Sequence, residues 1–331
     1  MTIPMPGLLI GYALAVAAAG TWWLPRVSWT QRLPRLGIAT WQVLTAAFVA
    51  SLLLAGLLVA IPCLPDGLNL DAAAELRDHY SSADAIVVRG TAAVASLTVI
   101  GRLIWATVSA LATARRRRAR HDETLTLVGR PGPVPGMVVL DDDRPVVYCL
   151  PGRGRVVVTT GALNRLDRPQ LLAVLAHEHA HLSARHHLVI MLARVLPDAF
   201  PGIRFLATAA DQIGALVEMA ADDSAARSHR LQLAHALLTL ATSPVPAPAL
   251  GAARTAAGQR IRRLLERPRP VAAAGRALGF TMTVLAAPAL ALAVPVLVLL
   301  NAPRCLDHPA GHPPVASASH SFPGIRPGAR P

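Results

Sequence analysis

Four long apolar stretches divide the chain, and each is long enough to form a membrane-spanning helix, which needs roughly 20 residues. Trp22 and Trp23 lie at the end of the first stretch, where an interfacial aromatic belt is expected, and the basic segment that opens a signal peptide is missing. The pattern of apolar and polar positions therefore predicts four spans, at about residues 5–24, 36–61, 90–114 and 278–300.

The composition supports a membrane protein. Charged residues make up 15% of the chain and hydrophobic residues 53%, whereas soluble domains carry about 25% charged residues. The formal net charge is +13, and every basic side chain apart from histidine is arginine. The arginines adjoin the apolar stretches and aromatic residues are only 4% of the chain, which is typical of membrane topology rather than of a base-stacking surface. We expect contact with a lipid bilayer and no direct nucleic acid binding.

The arginines also predict the orientation in the membrane. The loop after the first span carries three arginines and no acid, whereas the loop after the second is rich in acids. Five arginines follow the third span and six precede the fourth, so the positive-inside rule places both termini outside the cytoplasm. The predicted parts are a membrane domain at 1–114, a cytoplasmic domain at 115–277, a fourth span at 278–300 and a flexible extracytoplasmic tail at 301–331.

The predicted topology indicates the surroundings of the three cysteines and of one arginine. Cys63, Cys149 and Cys305 form no CxxC pair, so a cysteine-based zinc site has no support. Cys63 and Cys305 are both predicted on the oxidising outer face, where a disulfide between them is a hypothesis. Cys149 is expected to be a small buried residue. Arg102 lies midway along the third span and is expected to face other spans or a polar cavity.

The predicted cytoplasmic domain combines strands and helices. Two β-branched runs, 145–150 and 155–160, flank a glycine-containing link and predict an antiparallel hairpin. Asp167 and Gln170 form the capping-box pattern at the start of a helix. A second long helix is predicted over about 211–240.

The first of these helices carries an HExxH motif. His177 and His181 are four residues apart and therefore lie on one face of a helix, where two imidazoles can bind one metal ion. Glu178 follows the first histidine. Zinc lowers the pKa of a bound water towards roughly 7, so Glu178 is placed to act as the general base of peptide hydrolysis.

The third zinc ligand has two candidates. Glu218 and Asp222 are four residues apart on the second helix; Glu218 would complete a His₂Glu set and Asp222 would accept the free N–H of a ligand imidazole. The alternative is His187, at the spacing of a metzincin third histidine. That pattern needs glycine where this chain has Ala184, and no helix break is expected before Pro197. The sequence favours Glu218, and it does not choose an oxyanion stabiliser among Arg227, Arg230, Arg260 and His235.

Three segments carry a family resemblance: VVYCLPGRGRVVVTTGAL, LLAVLAHEHAHLSARHH and VEMAADDSAARSH. Over roughly residues 146–265 the chain resembles the BlaR/MecR-type membrane metallopeptidases and, more distantly, the HtpX-like membrane proteases. The resemblance implies a gluzincin-like domain that faces the cytoplasm between membrane helices. It implies Zn²⁺ held by His177, His181 and Glu218, with Glu178 as base and Asp222 as the carboxylate behind the ligands.

The resemblance also implies a substrate and its binding mode. The strand at 155–160 resembles the edge strand along which such enzymes align an extended peptide. A cytoplasmic helix-turn-helix repressor is the substrate that BlaR/MecR kinship suggests. These relatives carry a penicillin-binding domain after the last span, whereas only about thirty residues without an SxxK motif follow Leu300 here. The sequence therefore does not support β-lactam acylation as the signal.

The predicted fold is mainly α, a multi-pass helical membrane protein with a cytoplasmic α+β zinc peptidase domain that carries a short antiparallel hairpin. The predicted function is a zinc-dependent metalloendopeptidase that cleaves a cytoplasmic or membrane-proximal protein. Two alternatives stay open: a quality-control protease of the HtpX kind, and a catalytically weak zinc-binding sensor of the envelope.

Overall fold

The structure, a computed structural model, describes residues 5–60, 82–151, 154–242 and 250–266. The predicted fourth span, the tail and the pair Cys63 and Cys305 lie outside these residues.

Helices occupy the first three predicted spans. The first segment is α1 (Met5–Ala18), which continues through a π-helical turn and a 3₁₀ turn to Arg26. The short α2 (Ser28–Arg32) leads into α3 (Pro34–Ala60). By length and composition, three helical segments of the described chain could cross a membrane: Pro6–Arg26, Pro34–Ala60 and Val87–Val128.

The third of these segments belongs to α4 (Ser82–Val128), a helix of 47 residues. At 1.5 Å per residue it is about 70 Å long, more than twice the hydrocarbon thickness of a bilayer. It runs without a break past residue 114, where the predicted span ends, and through the arginine-rich segment 115–120. Its last turns reach the predicted cytoplasmic domain, where Asp122 forms a 3.1 Å ion pair with Arg155.

Four strands form a small mixed sheet. They are β1 (Arg130–Pro131), β2 (Met137–Leu140), β3 (Val147–Leu150) and β4 (Arg155–Thr159), and their order is β1-β2-β4-β3. The predicted hairpin is confirmed, because β3 and β4 pair antiparallel.

The expectation that the strand at 155–160 forms an edge is wrong. The sequence analysis did not predict β2, which pairs parallel with β4 on the side away from β3. β4 is therefore interior, and its side chains Val156, Val157 and Val158 are buried on both faces of the sheet. Within the described residues β3 has one paired neighbour, so β3 is the edge strand of the hairpin.

Five helices complete the domain: α5 (Thr160–Arg165), α6 (Arg168–Ser183), α7 (His186–Ala199), α8 (Arg204–Ala241) and α9 (Leu250–Leu265). The predicted capping box at the start of α6 is confirmed: the Asp167 carboxylate accepts from Gln170 N at 2.8 Å, and the Gln170 side chain accepts from Asp167 N at 3.3 Å. The predicted second helix is present as α8, seven residues longer at its start than the sequence indicated.

The helix that carries HExxH does not continue to Pro197 as expected. α6 ends at Ser183, and Arg185 adopts left-handed backbone angles (φ 51°, ψ 39°) before α7 begins. The turn is closed by main-chain hydrogen bonds from Ala184 N to Ala180 O and from Arg185 N to Leu182 O, each 3.1 Å long. An arginine thus adopts the left-handed conformation that ends the helix. The absence of glycine at position 184 therefore did not indicate a continuous helix.

The core joins α8 to the membrane helices. Phe205 of α8 packs against Trp41 and Phe48 of α3, with ring centroids 6.3 and 5.4 Å apart. Gly20 lies directly against the same ring, since a Cβ atom there would come within 2.2 Å of Phe205. Arg102 of α4 finds its partner at the end of α7, where its Nε donates to the carbonyl oxygen of Ala199 at 2.7 Å. The peptidase helices are therefore packed against the predicted spans rather than tethered to them.

Candidate active site

Three potential metal ligands converge between α6 and α8. The Nε2 atoms of His177 and His181 are 3.1 Å apart. Glu218 of α8 reaches both, with Oε2 at 3.6 Å from His177 Nε2 and Oε1 at 3.5 Å from His181 Nε2. Among the described residues this is the group of His, Cys, Asp and Glu side chains that could hold a metal ion.

The spacing of these donor atoms fits zinc. Tetrahedral zinc with bonds of 2.0–2.2 Å to nitrogen and oxygen has neighbouring donors about 3.3–3.5 Å apart. The observed separations are close to this value: 3.1 Å between the two nitrogens, 3.6 Å from His177 Nε2 to one Glu218 oxygen and 3.5 Å from His181 Nε2 to the other. Two imidazoles and one carboxylate leave a fourth position free for water or substrate, as in catalytic zinc sites.

Close packing of α6 and α8 brings the donors together. Ala173 of α6 and Ala225 of α8 are buried in the same apolar cluster, and Ala221 of α8 is fully buried beside the site. Such small side chains let two helix axes approach closely. Because Glu218 and Asp222 are four residues apart on α8, both face α6.

Asp222 lies behind His177. It is completely buried, and its Oδ1 is 3.0 Å from His177 Nδ1. The structure thus places Asp222 where the sequence analysis expected the carboxylate that orients a ligand imidazole.

Arg260 of α9 completes this side of the cluster. Its Nε and Nη2 donate to the two carboxylate oxygens of Asp222 at 2.8 and 2.7 Å, and its Nη1 lies 3.1 Å from Glu218 Oε2. Of the four residues considered as oxyanion stabilisers, Arg260 is the one that touches the site. Arg230 donates to carbonyl oxygens of α9, and Arg227 and His235 are exposed.

His186 is a residue of the site that no sequence motif singled out. The left-handed turn at Arg185 brings this buried imidazole to His181, with the two Nδ1 atoms 3.2 Å apart. No signal in the sequence marked this contact, because it depends on one backbone conformation. His187, the alternative third ligand, lies outside the group of three donors.

Glu178 faces the edge strand. Its carboxylate lies beside Cys149 of β3, and the two groups act on each other's pKa. In the hairpin, Thr159 N donates to Val146 O, so the even-numbered residues of β3 make the main-chain hydrogen bonds to β4. The main-chain groups of Val147 and Cys149 therefore point to the open edge of the sheet. Cys149 is half-buried, and burial together with Glu178 raises the pKa of its thiol to about 12.

The site environment separates the pKa values of its groups. Burial opposes charge on His177, but Asp222 and Glu218 outweigh burial and raise the His177 pKa to about 9. Burial lowers the His181 pKa to about 4. Burial would raise the Asp222 pKa, yet bonds to Arg260 and His177 hold it at about 2. Burial also raises the pKa of Glu178, which moves this carboxylate towards the range of an effective general base near neutral pH.

A His₂Glu donor set beside a partly desolvated glutamate is the constellation of a zinc metallopeptidase. Comparison with known proteins agrees: residues 111–246 match the model of peptidase family M48. That segment contains the three donor residues, Glu178 and Asp222, but ends before Arg260.

Two relatives are similar to part of the chain. A protein named Protease HtpX homolog, from Acidiphilium cryptum (strain JF-5), is 35% identical over 78 residues, or 23% of this chain and 27% of the relative. Protease HtpX from Legionella pneumophila subsp. pneumophila (strain Philadelphia 1) is 32% identical over 74 residues, or 22% of this chain and 26% of the relative. The chain thus matches about a quarter of the length of these curated relatives. No solved structure matches the chain.

These findings support a membrane metallopeptidase. They agree with the more distant of the two resemblances that the sequence suggested, the HtpX-like proteases. The BlaR/MecR-type assignment stays a prediction.

Proposed function

We propose that this protein is a membrane-embedded zinc endopeptidase in which His177, His181 and Glu218 hold the metal. The observation that carries this proposal is the convergence of both Nε2 atoms with the Glu218 carboxylate, at nitrogen–nitrogen and nitrogen–oxygen separations of 3.1 to 3.6 Å, in a donor set that suits zinc. Zinc held there would acidify a water molecule and polarise the carbonyl of the scissile peptide bond.

Glu178 is the proposed catalytic base. It directly follows His177 on α6, and its raised pKa suits proton transfer near neutral pH. Its carboxylate accepts a proton as water attacks the peptide carbon and returns that proton to the leaving amine. Asp222 holds the His177 ring in the orientation that directs Nε2 towards the metal.

The substrate is proposed to bind along β3. The main-chain groups of Val147 and Cys149 are directed to the open edge, and Cys149 contacts Glu178. An extended peptide that adds to this edge would therefore pass close to the catalytic base. The fully paired interior strand β4 cannot provide this edge.

We place the peptidase domain, residues 115–277, in the cytoplasm, with four spans and both termini outside. The arginine distribution supports this orientation. The continuous helix α4 carries the third span directly to the sheet, so a membrane-proximal protein is the proposed substrate.

Two substrate classes follow from the resemblance. A helix-turn-helix repressor would suit a signalling protease, and damaged membrane proteins would suit a quality-control protease. The similarity to two HtpX proteases supports damaged membrane proteins as the alternative to a single repressor. Comparing new protein N-termini in membranes that contain wild-type protein or the Glu178→Gln variant separates them: one cleaved protein indicates signalling, and many indicate quality control.

The Glu178→Gln variant also tests the chemistry. We expect it to keep stoichiometric zinc, because Glu178 is not among the three donor residues. We expect its rate of cleavage to fall about 10²–10⁴-fold, the typical contribution of a general base. Glu123→Gln, an exposed glutamate on α4, is the matched control and should cleave normally. Normal cleavage by Glu178→Gln would refute the proposed mechanism, and zinc without cleavage in the wild type would favour the sensor alternative.

A further inference from the structure

Arg260 contacts two carboxylates of the site through all three of its guanidinium nitrogens. Nε and Nη2 bind Asp222, and Nη1 binds Glu218. Nη2 also lies 3.5 Å from His177 Nε2. The side chain is only 15% exposed, so these contacts are shielded from water. The guanidinium is therefore held between the carboxylates of Asp222 and Glu218.

The charges of the site explain why an arginine is needed there. Three carboxylates lie at the site: Asp222 is buried, Glu178 is half-buried and the Glu218 side chain is 38% exposed. Counted with Arg260, these groups carry a net charge of −2, which a divalent cation neutralises. Without Arg260, the fully buried Asp222 would keep only its contact with His177 Nδ1, and a buried carboxylate that loses a charged partner is costly.

α9 is anchored independently of Arg260. Arg230 of α8 donates to the carbonyl oxygens of Arg263 and Leu264, and Arg263 forms a 2.7 Å ion pair with Asp223. Leu264 is buried in the cluster that contains Ala225 of α8. The helix is therefore fixed by its own packing, and Arg260 extends from it to the two carboxylates.

From these contacts we propose that Arg260 is a positioning residue that fixes Asp222 and Glu218 in the geometry that binds the metal. The inference rests on the zinc site of the proposed function. Arg260 acts through these two side chains. The planar guanidinium matters as much as its charge, because it binds both oxygens of Asp222 while it reaches Glu218.

Charge and geometry make opposite predictions. A positive charge near the metal repels it, so if charge alone counted, removing the guanidinium would tighten zinc binding. If geometry dominates, its removal weakens binding, because Asp222 loses two hydrogen bonds and no longer holds the His177 ring. Arg260→Lys keeps the charge and removes the fork, and Arg260→Gln removes both.

The test measures zinc affinity of the full-length protein by competition with a chromophoric chelator. We expect both Arg260→Lys and Arg260→Gln to bind zinc roughly 10–100-fold more weakly than wild type, the usual effect of losing a partner behind the ligands. Arg262→Gln, an exposed arginine on the same helix, is the control and should bind as wild type. Cobalt(II) substituted for zinc should show an altered visible spectrum in both Arg260 variants, which a purely structural role would leave unchanged.

Each other outcome has a distinct meaning. Wild-type zinc affinity in Arg260→Lys would show that the planar fork of the guanidinium is not needed, and would overturn the proposal. Tighter or unchanged zinc binding by Arg260→Gln would overturn it as well. If Arg260→Gln does not fold, Arg260→Lys alone decides. A wild-type protein that binds no zinc would refute the proposed function itself, whereas zinc in the wild type with unaffected variants refutes only the role of Arg260.

Discussion

His177 and His181 lie one turn apart on α6, yet their surroundings are of different kinds. Behind His177 stand a buried carboxylate, Asp222, and the guanidinium of Arg260. Behind His181 stands a second imidazole, that of His186. The His177 pKa is raised to about 9 by its carboxylate neighbours, and burial lowers the His181 pKa to about 4. One ligand is thus supported by a charged network from two distant helices, the other by a neutral neighbour across a turn.

Two histidine ligands of one metal site therefore need not be supported equally by their neighbours. A carboxylate behind an imidazole makes it a stronger donor and fixes its tautomer, whereas a neutral imidazole fixes the orientation with less electrostatic help. We therefore expect the His177 side of the site to contribute more to metal affinity than the His181 side.

The largest expected effect comes from removing the ligand that both histidines share. Glu218→Ala deletes the carboxylate that approaches both Nε2 atoms, so we expect loss of stoichiometric zinc on metal analysis of the purified protein. Glu266→Ala, an exposed glutamate just after α9, should retain zinc. Retention of zinc by Glu218→Ala would move the third ligand elsewhere, with His187 as the candidate to mutate next.

The next effect comes from breaking the His177 side alone. Asp222→Asn keeps the shape of the side chain but removes its charge, so His177 loses its anionic partner and the buried Arg260 loses its strongest one. We expect zinc affinity to fall roughly 10–100-fold. Removing one member of a buried ion pair typically costs about 3–5 kcal/mol of stability, measurable as a lower unfolding temperature. Unchanged zinc affinity in this variant would show that Asp222 does not support the metal site.

A smaller effect is expected from breaking the His181 side. His186→Ala removes the imidazole 3.2 Å from His181 Nδ1. We expect zinc affinity to fall by less than in Asp222→Asn, because a neutral partner is lost and water can take its place. His179→Ala, an exposed position of α6, is the control. An effect equal to or larger than that of Asp222→Asn would contradict the ranking of the two sides.

The smallest effect is expected at the turn that supplies His186. Arg185 has φ 51°, a conformation that costs a residue with a Cβ atom about 1 kcal/mol relative to glycine. Arg185→Gly should therefore leave zinc affinity unchanged and raise the unfolding temperature slightly. Arg185→Val should lower it, since a β-branched residue tolerates this conformation poorly. A loss of zinc in Arg185→Gly would show that the arginine side chain itself supports the site.

Several local features of this molecule could be predicted from neighbouring residues. The capping box at Asp167 and Gln170 set the start of α6, and the β-branched runs set the β3–β4 hairpin. Spacings of four on helices placed His177 with His181 and Glu218 with Asp222. These predictions succeed because their partners lie within one helical turn or one tight link.

Other features could not be predicted, for identifiable reasons. β2 lies beyond the proline- and glycine-rich segment 131–136, and its parallel pairing with β4 reversed the choice of edge strand. The break at Arg185 occurs at a residue that does not favour left-handed angles, so no pattern marked it. Arg260 was one of four candidates of similar appearance until the packing of α9 against α8 placed it on Asp222.

By itself, the sequence determined the apolar helices, the HExxH motif and its pairing with ExxxD, because each depends on composition or on spacing within one element. The tertiary structure alone decided which groups stand behind the two histidines and which strand is open to a peptide. Arg260 is 38 residues from Asp222 and His186 depends on a single backbone dihedral. Contacts of this kind arise from the packing of distant helices and from the course of the chain through a turn, and neither leaves a periodic pattern in the sequence.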